Sequence, residues 1–284
     1  MKIKTCTPVK LTPSVLNVDF SETETRITKF IKEYVSNSQS KGGIVLGLSG
    51  GIDSATTAAL CSKALGGKNI LALLMPEEET KNQKDLDDAK TIAKQFNIKT
   101  QTIDITHALE NIYSTIPIYD QKNQTSKGNI KARTRMTILY YYANKLDKIV
   151  CGSSNKSETL MGYFTKWGDS AADITPIKDL YKTQVRKLAS NLGIPEPIAL
   201  KPATPALWPN QTAEKELGIK YETLDLILYG LERSIPITEI AKQLNIEQNN
   251  IEAIKKRILH NEHKRQLPIQ LKTVLEPFEL PPEH

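Results

Sequence analysis

The stretch Ile44-Val45-Leu46-Gly47-Leu48-Ser49-Gly50-Gly51-Ile52-Asp53-Ser54 decides the fold of this chain. Its first five residues form a short apolar run, which is typical of a buried strand in a parallel sheet. A glycine turn follows, and the Ala-rich segment 53–65 predicts a helix that ends at Gly66. The stretch therefore predicts a strand, a glycine turn and a helix in immediate succession.

The glycine turn also predicts a binding site for an oxyanion. Its two glycines let backbone N–H groups point toward the anion, and the helix start adds partial positive charge. Ser49 and Ser54 add hydroxyl donors, and the absence of a Gly-Lys-Ser/Thr ending excludes the Walker loop. The alternative is an ordinary tight turn capped by Ser49. A carboxylate beneath a phosphate would repel it unless a cation lay between them, so Asp53 is interpreted as a Mg²⁺ ligand.

Further strands and helices alternate along the chain. Strands are predicted at 70–75, 98–105 and 148–152, the first of which is a buried apolar run. Helical spacing predicts helices at 22–37, 85–96, 130–146, 181–192, 211–217, 222–230, 237–244 and 248–262. Ser21 and Glu24 have the spacing of a capping box before the first helix. This alternation predicts an α/β fold with a doubly wound, mostly parallel sheet and helices on both faces. Residues 1–20 are predicted to be a loosely packed arm, and 21–284 a single domain with a C-terminal helical segment.

Composition excludes several classes of protein. With 284 residues, 39% of them hydrophobic and 25% charged, the chain is neither fibrous, collagen-like nor largely disordered. The net charge of +6 favours an anionic partner without choosing between a nucleotide and a nucleic acid. Cys6, Cys61 and Cys151 lie far apart, which argues against a disulfide framework or a zinc ribbon and favours a reducing cytoplasm. The longest aliphatic run, 70–75, is too short to cross a membrane.

Other polar segments suit ligands, and each has a simpler alternative. The segment 128–136 opens a helix on which Lys131 and Arg135 share a face, or it is a solvated basic helix end. The segment 152–158 follows a strand and suits a ribose or metal, or it is a helix start capped by its serine or asparagine. Aromatic residues around Lys166 suit ring stacking, or they belong to the core.

In this order the motifs resemble two nested families. SGGIDS resembles the PP-loop of the ATP pyrophosphatases, which split ATP into AMP and pyrophosphate. The set SGGIDS, GNIKARTRM, GSSNKSE, GYFTKWGDSAADITPI, DLYKTQ and EHKR resembles the NH₃-dependent NAD synthetases over roughly residues 22–270. The resemblance implies an adenine nucleotide alpha hydrolase-like fold.

The resemblance also implies roles for individual residues. ATP would be bound by Gly47, Leu48, Ser49, Gly50, Gly51, Ile52, Asp53, Ser54, Ser153, Lys182 and Thr204. Deamido-NAD⁺ would be bound by Arg133, Lys166, Asp173, His263 and Lys264. Asp53 and Glu158 would hold Mg²⁺. The catalytic group would comprise Asp53, Glu158, Asp173 and Lys182, and we hypothesise that Asp173 takes a proton in the ammonia step.

The reaction implied by the resemblance has two stages. The nicotinate carboxylate of deamido-NAD⁺ attacks the α-phosphate of ATP, giving an acyl-adenylate and pyrophosphate, and ammonia then displaces AMP. The resemblance implies a homodimer with the dinucleotide at the subunit interface. A cytoplasmic location is expected from the cysteines, and no nucleic-acid or membrane partner is expected. The chain leaves no room for an amidohydrolase domain, so ammonia is expected to enter directly or to come from a separate glutaminase.

One loop departs from the family pattern. Relatives commonly have Pro-Ser/Thr-Ala-Asp-Leu where this chain has residues 203–207, so Ala206 replaces an acid, and Asn210 stands where relatives often have Gly. This loop is expected to close over the site.

Two rival interpretations of the function remain. The first rival, a tRNA-modifying ATP pyrophosphatase, predicts a basic appendage and paired cysteines, which this sequence lacks. The second is an inactive nucleotide-binding sensor, against which the intact catalytic group argues.

Overall fold

The computed structural model describes residues 10–269. In this part of the chain a parallel sheet is formed by four strands: β1 Ile44–Gly47, β2 Ile70–Leu74, β3 Lys99–Thr102 and β4 Ile149–Cys151. Their order is β3-β2-β1-β4, and Ile44 of β1 lies opposite both Ile70 and Ile149. The chain therefore winds in one direction from β1 to β3 and in the other to β4. The switch point between β1 and β4 is where such sheets bind ligands.

Helices cover both faces of this sheet, as predicted. They are α1 Phe20–Asn37, α2 Ile52–Leu65, α3 Gln83–Gln95, α4 Thr106–Thr115, α5 Gln124–Leu146, α6 Lys156–Met161, α7 Lys182–Asn191, α8 Glu196–Ala199, α9 Ala213–Leu217, α10 Tyr221–Glu232, α11 Ile237–Leu244, α12 Gln248–His260 and α13 Glu262–Arg265. The predicted doubly wound α/β fold is confirmed. The sequence reasoning missed α4, α6, α8 and α13. The last three have only four to six residues, too few turns for a periodic signal, whereas α4 has ten residues and its omission has no such explanation.

Within residues 10–269, three apolar cores hold these elements together. Alternate residues of the strands point to opposite faces, so Ile44 packs with α1, α2 and α7 whereas Val45 packs with α5. A third core lies between α10, α11 and α12 and includes the buried residues Ile227 and Ile251. Among residues 10–269, no helix has both the length and the apolar character needed to span a membrane.

The start of α1 differs from the prediction. The helix begins at Phe20, and its N-cap is Asp19, whose carboxylate accepts a hydrogen bond of 2.9 Å from the backbone N–H of Glu22. The predicted capping box at 21–24 is therefore wrong. A carboxylate two residues earlier satisfies the helix start, which leaves Ser21 inside the first turn.

The segment before α1 is packed, so the part of the predicted arm that the structure describes is not loose. Leu11 and Leu16 are both 4% exposed and belong to the third core. Gln184 of α7 donates a hydrogen bond of 2.9 Å to the carbonyl oxygen of Leu16. Apolar side chains spaced five apart therefore anchor residues 10–19, whereas residues 1–9 of the predicted arm lie outside the described residues.

Candidate active site

A cavity of about 670 Å³ lies at the carboxyl ends of β1, β2 and β4. All but one of the residues predicted to bind ATP line it: Gly47, Leu48, Ser49, Gly51, Ile52, Asp53, Ser54, Ser153, Lys182 and Thr204. The exception, Gly50, turns away from the cavity toward α3. The strand order thus brings together segments that lie far apart in the sequence.

The loop after β1 has the geometry that its glycines predict. Gly50 has φ +78°, and a Cβ atom there would lie 2.1 Å from the carbonyl oxygen of Asp85, so only glycine is tolerated. The Ser54 hydroxyl lies 3.1 Å from that of Ser49 and donates to the carbonyl oxygen of Gly51 at 3.0 Å. The N-cap of α2 is Gly51 rather than Ser49. The two hydroxyls therefore brace the loop, and the Ser49 hydroxyl also accepts a hydrogen bond of 3.3 Å from the N–H of Gly51. The turn is as tight as the alternative supposed, but Ser49 is not the residue that caps the helix.

Lys182 joins two carboxylates at the edge of this loop. It is 1% exposed, its ammonium forms an ion pair with Asp53, and it lies 3.5 Å from Oε1 of Glu158. Asn155 caps α6 by accepting from the N–H of Glu158 at 2.9 Å, and it also donates to Asp53 Oδ1 at 3.1 Å. The capping interpretation of 152–158 thus holds for Asn155, and the same side chain links the two acids.

One ammonium does not neutralise both acids. Burial and the charge of Asp53 raise the pKa of Glu158 to about 7, against the opposing effect of Lys182. Burial by itself would lower the pKa of Lys182, but the charges of Asp53 and Glu158 raise it. The ammonium of Lys182 therefore stays charged, but its single positive charge offsets only part of the negative charge that Asp53 and Glu158 carry when both are ionised.

The two carboxylates fit a Mg²⁺ ion shared with a nucleotide. Within residues 10–269 no three His, Cys, Asp or Glu side chains gather closely enough to hold a metal. Mg²⁺ does not need such a cage, because it is commonly held by one or two carboxylates together with phosphate oxygens and water. Asp53 and Glu158 carry oxygen atoms of the type that Mg²⁺ takes as ligands, and both lie beside the glycine-rich loop that follows β1.

The residues predicted to bind the dinucleotide meet beside the cavity, apart from Asp173. Arg133 donates a hydrogen bond of 3.3 Å to the carbonyl oxygen of Lys166, whose ammonium in turn donates to the carbonyl oxygen of His263 at 2.5 Å. Lys264 lines the cavity and donates to two carbonyl oxygens of the turn 162–164, at 2.8 and 2.9 Å. Three distant segments thus form one basic cluster, which we call the Arg133–Lys264 cluster.

Aromatic rings accompany the cations of this cluster. The ammonium of Lys166 lies 5.2 Å from the ring centroid of Trp167, and that of Lys264 lies 5.4 Å from the ring of Phe164. Trp167 is 45% exposed, so the interpretation that places it in the core is wrong. An exposed ring beside a cation is a surface on which a planar group can stack.

Asp173 lies beside Val150, the middle residue of β4, and not in the wall of the cavity. Its carboxylate accepts a hydrogen bond of 2.8 Å from the N–H of Val150 and one of 3.3 Å from the hydroxyl of Tyr140. Burial and the charge of Asp173 raise the pKa of Tyr140 to about 12, so this hydroxyl remains a neutral donor. Asp173 thus holds the strand that leads to Ser153.

The loop that departs from the family pattern forms another wall of the cavity. Thr204 is exposed there, and its hydroxyl accepts a hydrogen bond of 3.0 Å from the N–H of Ala206. Ala206 has φ +48° and Asn210 has φ +59°, both in the left-handed region. Asparagine tolerates this region better than most residues, whereas alanine is strained there. Asn210 therefore preserves a conformation that Gly would adopt freely.

The sequence reasoning missed two groups at the site. Lys201 donates to the carbonyl oxygen of Gly50 at 3.0 Å, and its ammonium forms ion pairs with Asp85 and Asp88. Arg135 lines the cavity, and burial lowers the pKa of its guanidinium. The GNIKARTRM motif was a signal for Arg135, but only Arg133 was assigned from it. Nothing local marks Lys201, because its partners are distant in sequence.

Comparison with known proteins agrees with this geometry. A model of the NAD synthase family matches residues 23–268. The NH₃-dependent NAD⁺ synthetase of Methanocaldococcus jannaschii is 48% identical over 244 residues, which cover 86% of this chain and 93% of the relative. Two solved structures are similar over 90% of this chain and 100% of their own. They are an NMN synthetase from Francisella tularensis, with TM-score 0.79 and 33% identity, and an NH₃-dependent NAD synthetase from Campylobacter jejuni, with TM-score 0.75 and 34% identity.

A parallel sheet with a glycine-rich phosphate loop at its switch point defines the PP-loop class of α/β proteins. Within that class the relatives agree on one family over almost the whole described chain. The chain belongs to the NAD synthase family.

Proposed function

We propose that this chain uses ATP and ammonia to convert deamido-NAD⁺ into NAD⁺, AMP and pyrophosphate. The observation that carries the proposal is the contact of Lys182 with both Asp53 and Glu158 beside the phosphate loop. This arrangement suits an enzyme that must hold a triphosphate and neutralise departing pyrophosphate. The NH₃-dependent NAD⁺ synthetases among its relatives support the substrate and the nitrogen source.

The first stage activates an unreactive acid. A carboxylate does not exchange oxygen for ammonia readily, because oxide is a very poor leaving group, whereas AMP leaves easily from an acyl-adenylate. Backbone N–H groups of residues 49–54 and the ammonium of Lys182 would stabilise negative charge as pyrophosphate departs. Asp53 and Glu158 would hold Mg²⁺, which supplies further neutralisation when bound. The chain needs no nucleophile of its own, because alignment of the two substrates accomplishes most of the catalysis.

The second stage requires ammonia to lose a proton as it attacks the activated carbonyl. The hypothesis that Asp173 takes this proton conflicts with its position, because Asp173 does not line the cavity and both of its oxygens already accept hydrogen bonds. The dinucleotide would be held by the Arg133–Lys264 cluster. The cations of that cluster and the exposed ring of Trp167 beside it suit the phosphates and bases of a dinucleotide. The position of the cluster beside the cavity is compatible with a substrate that a second subunit of a homodimer helps to cover.

A second candidate reaction follows from one comparison. The Francisella tularensis protein with TM-score 0.79 is named an NMN synthetase, and amidation of the corresponding mononucleotide acid would need the same phosphate loop. The chain is more similar in sequence to NAD⁺ synthetases, at up to 48% identity against 33%. The dinucleotide is therefore the favoured substrate.

A substrate comparison tests the proposal. Purified protein is mixed with ATP, Mg²⁺ and either deamido-NAD⁺ or nicotinate mononucleotide, with ammonium or glutamine as nitrogen source, and the nucleotides are separated by chromatography. We expect NAD⁺ with an equal amount of AMP, formed with ammonium and not with glutamine. Product from the mononucleotide alone, or ADP in place of AMP, would overturn the proposal. ATP turnover that appears only after tRNA is added to the mixture would support the first rival, a tRNA-modifying enzyme. Binding of ATP without turnover would support the second rival, an inactive sensor.

Metal removal tests the role of the two carboxylates. Chelation should abolish AMP formation, and Mg²⁺ should restore it. Asp53→Asn should raise the Mg²⁺ concentration needed for half-maximal rate, because it removes one of two anionic ligands. Asp120→Asn, which changes an exposed acid outside the cavity, is the matched control. An Asp53→Asn protein with an unchanged Mg²⁺ requirement would contradict the assignment.

A further inference from the structure

Asp225 is a fully buried carboxylate in α10 that no recognised motif contains. It is 0% exposed, and both of its oxygens are used. The Ser157 hydroxyl donates to Oδ1 at 2.5 Å, and the backbone N–H of Thr183 donates to Oδ2 at 2.8 Å. A buried charge is costly unless it is hydrogen-bonded, so these two contacts are what make Asp225 tolerable on the buried face of α10.

The partners of Asp225 adjoin the ion pair of the active site. Ser157 directly precedes Glu158, and Thr183 directly follows Lys182. The same Ser157 hydroxyl accepts a hydrogen bond of 2.9 Å from the backbone N–H of Lys182. One carboxylate thus ties the start of α6 to the start of α7, at the two places where the chain presents Glu158 and Lys182 to the cavity.

A second residue of α10 contacts the other end of Lys182. Tyr221 lies one turn before Asp225, is 0% exposed, and has its ring centroid 5.5 Å from the ammonium of Lys182. A ring at this distance attracts a cation. The Tyr221 hydroxyl has no hydrogen-bond partner within residues 10–269, so the ring is the part of this side chain that acts on Lys182.

We propose that α10 is the positioning element of the active site, holding the backbone of Lys182 through Asp225 and its ammonium through Tyr221. A lysine side chain is long and flexible, and a free one must be ordered each time charge develops. A pre-positioned ammonium avoids that reorganisation. The inference rests on the proposed function, since it concerns the stage in which pyrophosphate departs.

The two stages of the reaction provide the test. Without ammonium, enzyme, ATP and deamido-NAD⁺ should form adenylate and pyrophosphate; added ammonium then converts the adenylate into NAD⁺. Asp225→Asn keeps the size of the side chain, but it removes the charge and one of two acceptors. We expect pyrophosphate formation to slow by roughly 10- to 100-fold, the range for loss of a hydrogen bond to a charged group. The ammonium step should stay within about twofold of the native rate.

Two further variants separate positioning from general weakening of the fold. Ile227→Val shortens another fully buried side chain of α10, which is aliphatic and cannot enter the hydrogen-bond network, so it should leave both stages unchanged. Ser157→Ala removes the shared hydroxyl and should slow pyrophosphate formation as Asp225→Asn does. The double variant should be slowed by less than the product of the two single effects, because both act through one network.

Each outcome decides one question. If the native protein makes no NAD⁺ from ammonium, the proposed function fails. If the native protein is active but Asp225→Asn matches it, or slows both stages equally, the positioning role of α10 is overturned. Should Asp225→Asn not fold, Ser157→Ala decides by the same comparison of stages.

Discussion

Lys201 donates a hydrogen bond of 3.0 Å to the carbonyl oxygen of Gly50, which lies 151 residues earlier in the chain. Its ammonium also pairs with Asp85 at 2.7 Å and with Asp88. Gly50 is the residue whose positive φ shapes the phosphate loop. Lys201 therefore fastens three parts of the site together: this loop, the start of α3 and the loop that contains Thr204.

Replacement of Lys201 should loosen the phosphate loop. Lys201→Met keeps the length of the stem but leaves Asp85 and Asp88 without their shared cation. We expect the KM for ATP to rise about tenfold, because loss of one hydrogen bond from a charged donor is worth at least 1.4 kcal/mol. Steady-state kinetics with ATP varied would measure this. Lys178→Met, at an exposed lysine, is the control, and an unchanged KM in Lys201→Met would contradict the role.

The loop of residues 203–211 packs closely against α5 at Gly128, and we expect this close packing to be needed for ATP binding. A Cβ atom at Gly128 would lie 3.0 Å from Cβ of Leu207 and 3.3 Å from the ring of Trp208. Gly128→Ala should stabilise α5 by about 1 kcal/mol through helix propensity, yet push the loop away from the cavity.

Gly128→Ala is thus expected to weaken ATP binding without lowering the stability of the fold. The Tm should not fall, whereas the KM for ATP should rise by roughly 3- to 10-fold, as expected for a small steric conflict at the loop. Ser126→Ala, an exposed position in the same turn, raises helix propensity without touching the loop. A Gly128→Ala protein with native KM would mean that the loop does not need this contact.

Short-range pattern was sufficient to predict β1, the phosphate loop and α2. An apolar run, a glycine pair and an Ala-rich segment follow one another directly, so no distant contact is needed to specify them. The four members of the Arg133–Lys264 cluster were also found, because each lies in a distinctive motif. Their convergence depends on the packing of α12 and α13 against the turn 162–164, which periodicity does not reveal.

The contacts of α10 could not be predicted in this way. Asp225 meets partners that lie 68 and 42 residues away, and the segment 221–232 has the pattern of an ordinary amphipathic helix. One signal was present. Asp225 stands alone between Leu224 and Leu226 in an apolar run, and a buried acid needs a partner.

Lys131 and Lys127 offer a matched comparison of buried and partly exposed ion pairs. Lys131 is 0% exposed and donates to Glu77 at 2.9 Å and to Glu79 at 2.6 Å, whereas Lys127 pairs with Glu79 and, within residues 10–269, with no other acid. Lys131→Met should lower the free energy of unfolding by about 3–5 kcal/mol, because Glu77 is left buried without its cation. Lys127→Met should cost only about 0–1 kcal/mol. Urea unfolding measures both, and equal losses would contradict this ranking.

Glu79 makes the same network dependent on pH. Burial by itself would raise the pKa of Glu79, but hydrogen bonds from Lys127 and Lys131 lower it below its ordinary value of 4.5. A group whose pKa is lower in the folded state stabilises the fold above its unfolded pKa and loses that contribution as the pH falls. Native protein should therefore lose stability as the pH drops below 4.5. Glu79→Gln should show a shallower loss, and identical slopes would contradict the prediction.

Asp173 raises the question of whether its carboxylate takes a proton or only holds β4. Asp173→Asn separates the two roles, because an amide oxygen can still accept from the N–H of Val150 but the residue is no longer a base. If Asp173 takes the ammonia proton, the ammonium step should slow by roughly 100-fold or more, the usual contribution of a positioned base. Pyrophosphate formation should change little. The two-stage assay, repeated across pH, measures both rates.

Tyr140→Phe is the matched control for Asp173→Asn. It removes the second hydrogen bond to the Asp173 carboxylate, 3.3 Å long, while leaving the carboxylate itself in place. If Asp173 acts as a base, Tyr140→Phe should slow the ammonium step far less than Asp173→Asn does. In Tyr140→Phe the negative charge of Asp173 and the hydrogen bond from Val150 both remain. An Asp173→Asn protein that amidates at the native rate at every pH would exclude the base. The carboxylate would then act only by fixing β4, the strand that carries Ser153 to the cavity.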